Sequence, residues 1–165
     1  HGYNSEMLKA VEAVNRSQKT KLYEYICDFY KLEKSHKIGL QEKTFAVWGL
    51  SFKPNTNDMR DAPSRVLLDA LLNAGATVKA FDPKAQLEAE KIYGDKENLL
   101  LVDSKEEALV DANALVICTE WQEFKAVDLA LFTRNLKDLA VFDGRNLYEP
   151  DQMYENGLFY WCVGR

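Results

Sequence analysis

Apolar positions divide this chain into two regimes. Met7, Leu8, Val11, Val14, Leu22, Tyr25, Ile26 and Phe29 recur at three- and four-residue steps, with Gln18 as the one polar member of the stripe. This spacing predicts one long amphipathic helix, opened by Ser5, running to Glu33 and stopping before Gly39. At 1.5 Å per residue such a helix is roughly 43 Å long, so its apolar face needs a partner surface, either the rest of the chain or a second subunit. Beyond the charged stretch from Lys34 to Lys43, the only boundary candidate, the pattern changes to short apolar runs alternating with amphipathic segments.

Strands are predicted at Thr44 to Leu50, Thr77 to Phe81, Leu99 to Val102, Ala114 to Cys118, Ala140 to Phe142 and Leu158 to Val163. Helices are predicted from the Val66, Leu67, Ala70, Leu71 stripe up to Gly75, at Gln86 to Tyr93, and from Ser104, whose S-x-x-E spacing to Glu107 is that of a capping box. Two more follow at Val127 to Leu136 and from Glu149-Pro150-Asp151 to Gly157. Strands alternating with helices and nearly continuous in apolar residues imply an α/β fold. We expect a Rossmann-like three-layer α/β/α domain with a mostly parallel sheet, preceded by the long helix. Ligands of such sheets bind at the carboxyl ends of strands, near a switch in strand order.

With 165 residues, 47% of them hydrophobic and 28% charged, the chain holds one sizeable core and too little for two full domains. A net charge of -5 argues against a nucleic-acid backbone as partner, because that surface is matched by surplus Lys and Arg. No apolar run approaches the roughly 20 residues that span a bilayer, and the start, His1-Gly2-Tyr3-Asn4, shows no signal peptide and no initiator Met. It reads as a processed chain or an excised fragment. Cys27, Cys118 and Cys162 are widely spaced, form no CxxC and fit a reducing cytoplasm. No His/Cys cluster suggests a metal.

The loop leaving the first strand carries the richest chemistry. Gly49-Leu50-Ser51-Phe52-Lys53-Pro54 is followed by Asn55 to Arg60 and then by the helix-opening Asp61, Ala62, Pro63 and Ser64. Lys53 and Arg60 therefore lie where a helix amino end and backbone amides favour anions, and they suit phosphate as point charge and as fork respectively. A surface loop with two solvated cations satisfies the same spacing. Gly49 stands alone, so no dinucleotide fingerprint is present. Arg145, in Asp143-Gly144-Arg145-Asn146, projects at the same strand edge; an ordinary turn whose Arg pairs with Asp143 is the simpler reading. Thr119-Glu120-Trp121 closes a strand and either faces a cleft or, on the simpler reading, packs and caps a helix. The cysteines read as buried structural thiols, with no neighbouring His motif to activate them.

The run from Phe45 to Pro63, FAVWGLSFKPNTNDMRDAP, resembles the carboxyl-terminal signature of the UDP-glucose/GDP-mannose dehydrogenase family. The likeness continues through AGATVKAFDP, VICTEW, FDGRN and the terminal GLFYWCVGR, while AVEAVNRSQK resembles the end of the family's central linking helix. The resemblance spans nearly the whole chain, in order, and NTNDMRDAPS looks closest to the UDP-glucose branch. It implies residues 1–38 as the end of a linking and dimerisation helix, and residues 39–165 as a UDP-sugar-binding domain. It implies a cytoplasmic homo-oligomer that feeds polysaccharide synthesis.

By the same resemblance, Phe52, Lys53 and Arg145 contact the nucleotide sugar and Arg60 reaches NAD, which another domain mainly binds. The family oxidises a sugar alcohol to a carboxylate in two hydride transfers to two NAD molecules, through a thioester on a cysteine. That cysteine lies in a GGSCFPKD-like motif, which this chain lacks, as it lacks GxGxxG. No catalytic residue is therefore expected here, and the chain alone is expected to be inactive. Two alternatives share these residues: a non-catalytic nucleotide-binding or dimerisation module, and a relative acting on UDP-N-acetylmannosamine or GDP-mannose.

Overall fold

The computed structural model describes residues 19–30 and 39–164. The chain runs from helix α1, described over residues 19–29, to β1 (Thr44–Trp48), α2 (Pro63–Asn73), β2 (Thr77–Phe81), α3 (Gln86–Tyr93) and β3 (Leu99–Leu101). It continues through α4 (Lys105–Leu109), β4 (Ala114–Ile117), α5 (Gln122–Lys125), α6 (Ala130–Asn135), β5 (Ala140–Asp143), α7 (Pro150–Glu155) and β6 (Phe159–Cys162). The strands form one sheet in the order β3-β2-β1-β4-β5-β6, every neighbouring pair parallel. This is the strand order of a doubly wound dinucleotide-type fold, with its switch point between β1 and β4.

Alternation along each strand builds the three layers. Phe45 and Val47 of β1, Val116 of β4 and Phe142 of β5 face one core with Leu67, Leu68 and Leu71 of α2. Ala46, Trp48, Leu115, Ile117 and Val141 face the other, with Phe124, Phe132 and Met153. Trp48 stacks on Phe124 at 5.0 Å between centroids and donates its indole N–H to the Lys105 carbonyl. The Ser104 hydroxyl accepts the Glu107 amide as the capping box requires, and Glu107 returns a carboxylate oxygen to the Asp103 amide. Two elements depart from expectation. Helix α6 begins at Ala130 rather than Val127, because the Asp128 carboxylate accepts the Ala130 amide and sets the first turn there. The turn α5, too short to show a period, was not anticipated.

Helix α1 covers the β5–β6 half of the first face. Leu22 and Ile26 are buried, Tyr25 stacks on Trp161 at 3.9 Å, and Phe29 meets Phe142 and Phe159. The helical stripe therefore finds its partner surface within the chain at these positions. Gly144 lets the helix approach, since a Cβ there would sit 3.0 Å from a Leu22 methyl and 2.9 Å from the Ile117 carbonyl. The predicted cap at Ser5, the stripe members Met7, Leu8, Val11, Val14 and Gln18, and the helix end toward Glu33 lie outside the described residues.

Candidate functional site

Three loops leave the carboxyl ends of β1, β4 and β5 around the switch point. Gly49 ends β1 at φ +86°, and a Cβ there would lie 2.5 Å from Thr119 Cβ, so only bare backbone lets the β1 and β4 loops close on each other. The Thr119 hydroxyl then donates to the Ser51 carbonyl (2.6 Å), and the Ser64 hydroxyl, at the start of α2, donates to the Leu50 carbonyl (2.6 Å). Asp82, fully buried after β2, gathers the rest. Its Oδ2 accepts the Leu50 and Ser51 amides (2.7 and 3.0 Å), the Ser51 hydroxyl and the Trp121 indole N–H (3.1 Å), while Oδ1 accepts the Lys84 and Ala85 amides.

From this anchored base the residue 52–62 loop runs out over the edge and back. Met59 returns it to the core, 3% exposed, while Asn55 and Asp61 hold left-handed φ values of 65° and 55°. Such conformations cost a non-glycine residue energy and gather at functional sites. The Phe52 amide donates to the Asp58 carbonyl (2.7 Å), and Phe52 is 48% exposed. Lys53 is exposed and, among the described residues, makes no hydrogen bond or ion pair. Arg60 points outward and is gripped by Asp58 through Nε (3.0 Å) and Nη2 (2.8 Å). Those hydrogen bonds lower the Asp58 carboxyl to about 2.

Arg145 joins the loops. The simpler expectation, a side-chain pair with Asp143, is not what forms. The Arg145 backbone N–H takes Asp143 Oδ1 (2.8 Å), and Asp143 Oδ2 is occupied by the Leu147 amide and the Tyr160 hydroxyl, both at 2.7 Å. The guanidinium turns instead toward β4 and β1. Its Nε donates to the Cys118 carbonyl (2.7 Å), its Nη2 to the Phe52 carbonyl (3.3 Å), and Glu120 Oε2 lies 3.1 Å from Nε. Because the Nε hydrogen is directed at Cys118, Glu120 Oε2 is held by charge and accepts no hydrogen bond from a described residue although it is buried. One edge of the guanidinium is thus spent on carbonyls, and Nη1 makes no hydrogen bond to a described residue.

Phe52, Lys53 and Arg145 accordingly share one edge, and Arg60 is tied to the same loop through Asp58. Asp82 was not singled out in the sequence, and Glu120 was named there only within the Thr119-Glu120-Trp121 strand closure, without its place beside Arg145. The cysteines are all buried, and burial pushes the Cys118 thiol up to about 12, against the pull of Arg145 and with a further push from Asp143. A thiol so placed is a poor nucleophile. These residues also do not fit a full dinucleotide site. Gly49 is its lone glycine, α2 starts a long loop away from β1, and the acid after β2 that would meet a ribose is consumed inside the protein.

Residues 46–150 match the model of the UDP-glucose/GDP-mannose dehydrogenase family, UDP binding domain. The chain is 41% identical over 167 residues to UDP-glucose 6-dehydrogenase of Pseudomonas aeruginosa, covering 99% of this chain and 36% of that protein. It is 35% identical over 163 residues to UDP-glucose 6-dehydrogenase YwqF of Bacillus subtilis, covering 99% and 35%. The solved structure of a UDP-glucose dehydrogenase from Pyrobaculum islandicum superposes with a TM-score of 0.71 at 26% identity, covering 87% of this chain and 30% of that one. The chain spans about a third of the length of these relatives. Residues 46–150 of this parallel α/β sheet meet the family model, and the chain belongs to the UDP-glucose/GDP-mannose dehydrogenase family, with those residues in its UDP-binding domain.

Proposed function

We propose that this chain is the carboxyl-terminal, UDP-sugar-binding portion of an NAD-dependent UDP-glucose 6-dehydrogenase, which converts UDP-glucose to UDP-glucuronate in two successive oxidations using two NAD molecules. The observation that carries the reading is the hydrogen bond from Arg145 Nη2 to the Phe52 carbonyl, which draws two separate strand-end loops into one cationic edge. Lys53 supplies an unspent ammonium for a phosphate, Arg145 its remaining N–H groups, and Phe52 an exposed aromatic face. Arg60 turns toward the cofactor, while the NAD is held mainly by another domain of the enzyme. The catalytic cysteine belongs to that other part as well, so this chain alone is inactive.

Residues 1–38 belong to the segment that links the enzyme's domains and contributes to a dimer, and residues 39–165 are the nucleotide-sugar domain of a cytoplasmic enzyme that supplies polysaccharide synthesis. No helix among the described residues is long and apolar enough to cross a membrane. Calorimetry of UDP binding by the full-length enzyme tests the site: Lys53→Ala and Arg145→Ala are each expected to weaken binding roughly tenfold, one charged hydrogen bond's worth. Unchanged affinity in both variants would sink the assignment. The family also takes in GDP-mannose dehydrogenases, so product analysis with UDP-glucose, UDP-N-acetylmannosamine and GDP-mannose decides the sugar.

A further inference from the structure

In a dinucleotide-binding sheet the acid at the end of β2 points outward to a ribose hydroxyl. Asp82 occupies that place, one residue beyond Phe81, which pairs with Trp48 at the end of the β1–β2 ladder. Here the carboxylate is turned inward. It is 0% exposed, no cation among the described residues pairs with it, and donors from three loops take the place of water around its charge. On Oδ2 those donors are the amides of Leu50 and Ser51, the Ser51 hydroxyl and the Trp121 indole. Leu50 and Ser51 immediately precede Phe52 and Lys53, and Trp121 adjoins Glu120, the residue beside the Arg145 guanidinium. One buried charge therefore fixes the β1 loop and the β4 loop with respect to each other.

We propose that Asp82 is the positioning residue of this edge: through Leu50, Ser51 and Trp121 it holds the Phe52–Lys53 segment in its ligand-taking conformation before a nucleoside diphosphate arrives. The inference rests on the reading of Lys53 and Arg145 as ligand contacts. Its physical basis is pre-organisation, since a loop already ordered spares the ligand the cost of ordering it. Asp82 touches no ligand in this scheme. The same inward turn withdraws the acid that would meet the ribose of a dinucleotide bound to this sheet.

The test is UDP calorimetry with the full-length protein carrying Trp121→Phe or Ser51→Ala, each alone and combined with Lys53→Ala, with thermal midpoints measured alongside. Trp121→Phe deletes the indole donor and Ser51→Ala the hydroxyl donor, and both leave the carboxylate in place. Asp82→Asn sets an amide donor against backbone N–H groups and is expected to lower the folded yield, so the two milder variants carry the test. Each is expected to weaken UDP binding roughly three- to tenfold, and by less than about twofold once Lys53 is already Ala. A lowered midpoint with wild-type UDP affinity would make Asp82 purely structural and overturn the proposal, as would losses that simply add to that of Lys53→Ala. If Lys53→Ala and Arg145→Ala bind UDP normally, the ligand reading falls and the inference with it. If they lose affinity while Trp121→Phe and Ser51→Ala do not, the inference alone falls.

Discussion

The two ends of the sheet both collect carboxylates and cations, yet they settle them differently. At the amino end, Asp138 accepts the Tyr30 hydroxyl (2.7 Å), the Lys43 ammonium (3.1 Å) and the Asn113 amide (3.1 Å), while Asn113 in turn accepts the Thr44 amide. Lys43 also lies 4.9 Å from the centre of the Tyr30 ring. Cation, carboxylate and aromatic ring are consumed by one another, and the network pins Tyr30 beside β1. At the carboxyl end the buried carboxylates Asp82 and Asp143 are satisfied mainly by backbone N–H groups and hydroxyls. The cations nearby are less fully committed: Lys53 makes no hydrogen bond or ion pair to a described residue, while Arg145, beside Glu120, has spent one edge on carbonyls and Arg60 is held by Asp58. Stability calls for closing a polar network, whereas an anion site calls for leaving charge unspent, and the chain does each at a different end.

The largest expected effect comes from opening the carboxyl end itself. Gly49→Ala forces a side chain into φ +86° and into contact with Thr119, where its Cβ would meet backbone nitrogen at 2.7 Å. A destabilisation of about 3 kcal/mol is expected from the left-handed conformation and the overpacking together. Chemical denaturation measures it, and a loss below 1 kcal/mol would mean that the β1 and β4 loops are not locked as described. Next comes a direct contrast between the two lysines. Lys53→Ala is expected to lower UDP affinity roughly tenfold and leave the unfolding midpoint unchanged. Lys43→Ala is expected to lower the midpoint and leave UDP affinity alone, because its charge is already committed to Asp138. If the two variants behave alike, the distinction between a closed and an unspent network is wrong.

How much of this was legible in the sequence follows from the range of each interaction. The strands were readable because each carries its own signal: in Thr77–Phe81, Val78 and Ala80 turn to the core while Lys79 does not. Lys53 was readable as a candidate because its meaning is the absence of a partner, and its place after β1 is set by local order. The partner of Arg145 was not readable. Asp143, two residues away, was the natural choice, but Tyr160 on the edge strand and Leu147 had already taken its outer oxygen. Glu120 and the carbonyls of Cys118 and Phe52 reach Arg145 only once β1, β4 and β5 lie side by side. Asp82 is the extreme case, since its donors on Oδ2 come from 31 to 39 residues away in either direction along the chain.

The smallest predicted effect probes the closed network without touching the open one. Tyr30→Phe removes one hydroxyl and keeps the ring under Lys43, so about 1 kcal/mol of stability should be lost at neutral pH, the net value of one hydrogen bond. Its pH dependence is the sharper measurement. Burial, and then the hydrogen bond and charge of Asp138, push the Tyr30 hydroxyl above its ordinary 10.0. A raised folded value means a contribution fully present below pH 10 and lost as pH rises from there toward the folded value, because the unfolded chain ionises first. Asp138 behaves in the opposite sense. Burial opposes its charge, but the donors Tyr30, Lys43 and Asn113 together outweigh burial and hold it below its ordinary 3.8. The contribution of those bonds is therefore present above about pH 4 and fades as the carboxylate protonates in acid. The stability gap between wild type and Tyr30→Phe should form a plateau across neutral pH and narrow on both flanks. A gap that stays constant through pH 11, followed by denaturant midpoints, would mean that the hydroxyl contributes packing alone and that the amino-end network is not held by its hydrogen bond to Asp138.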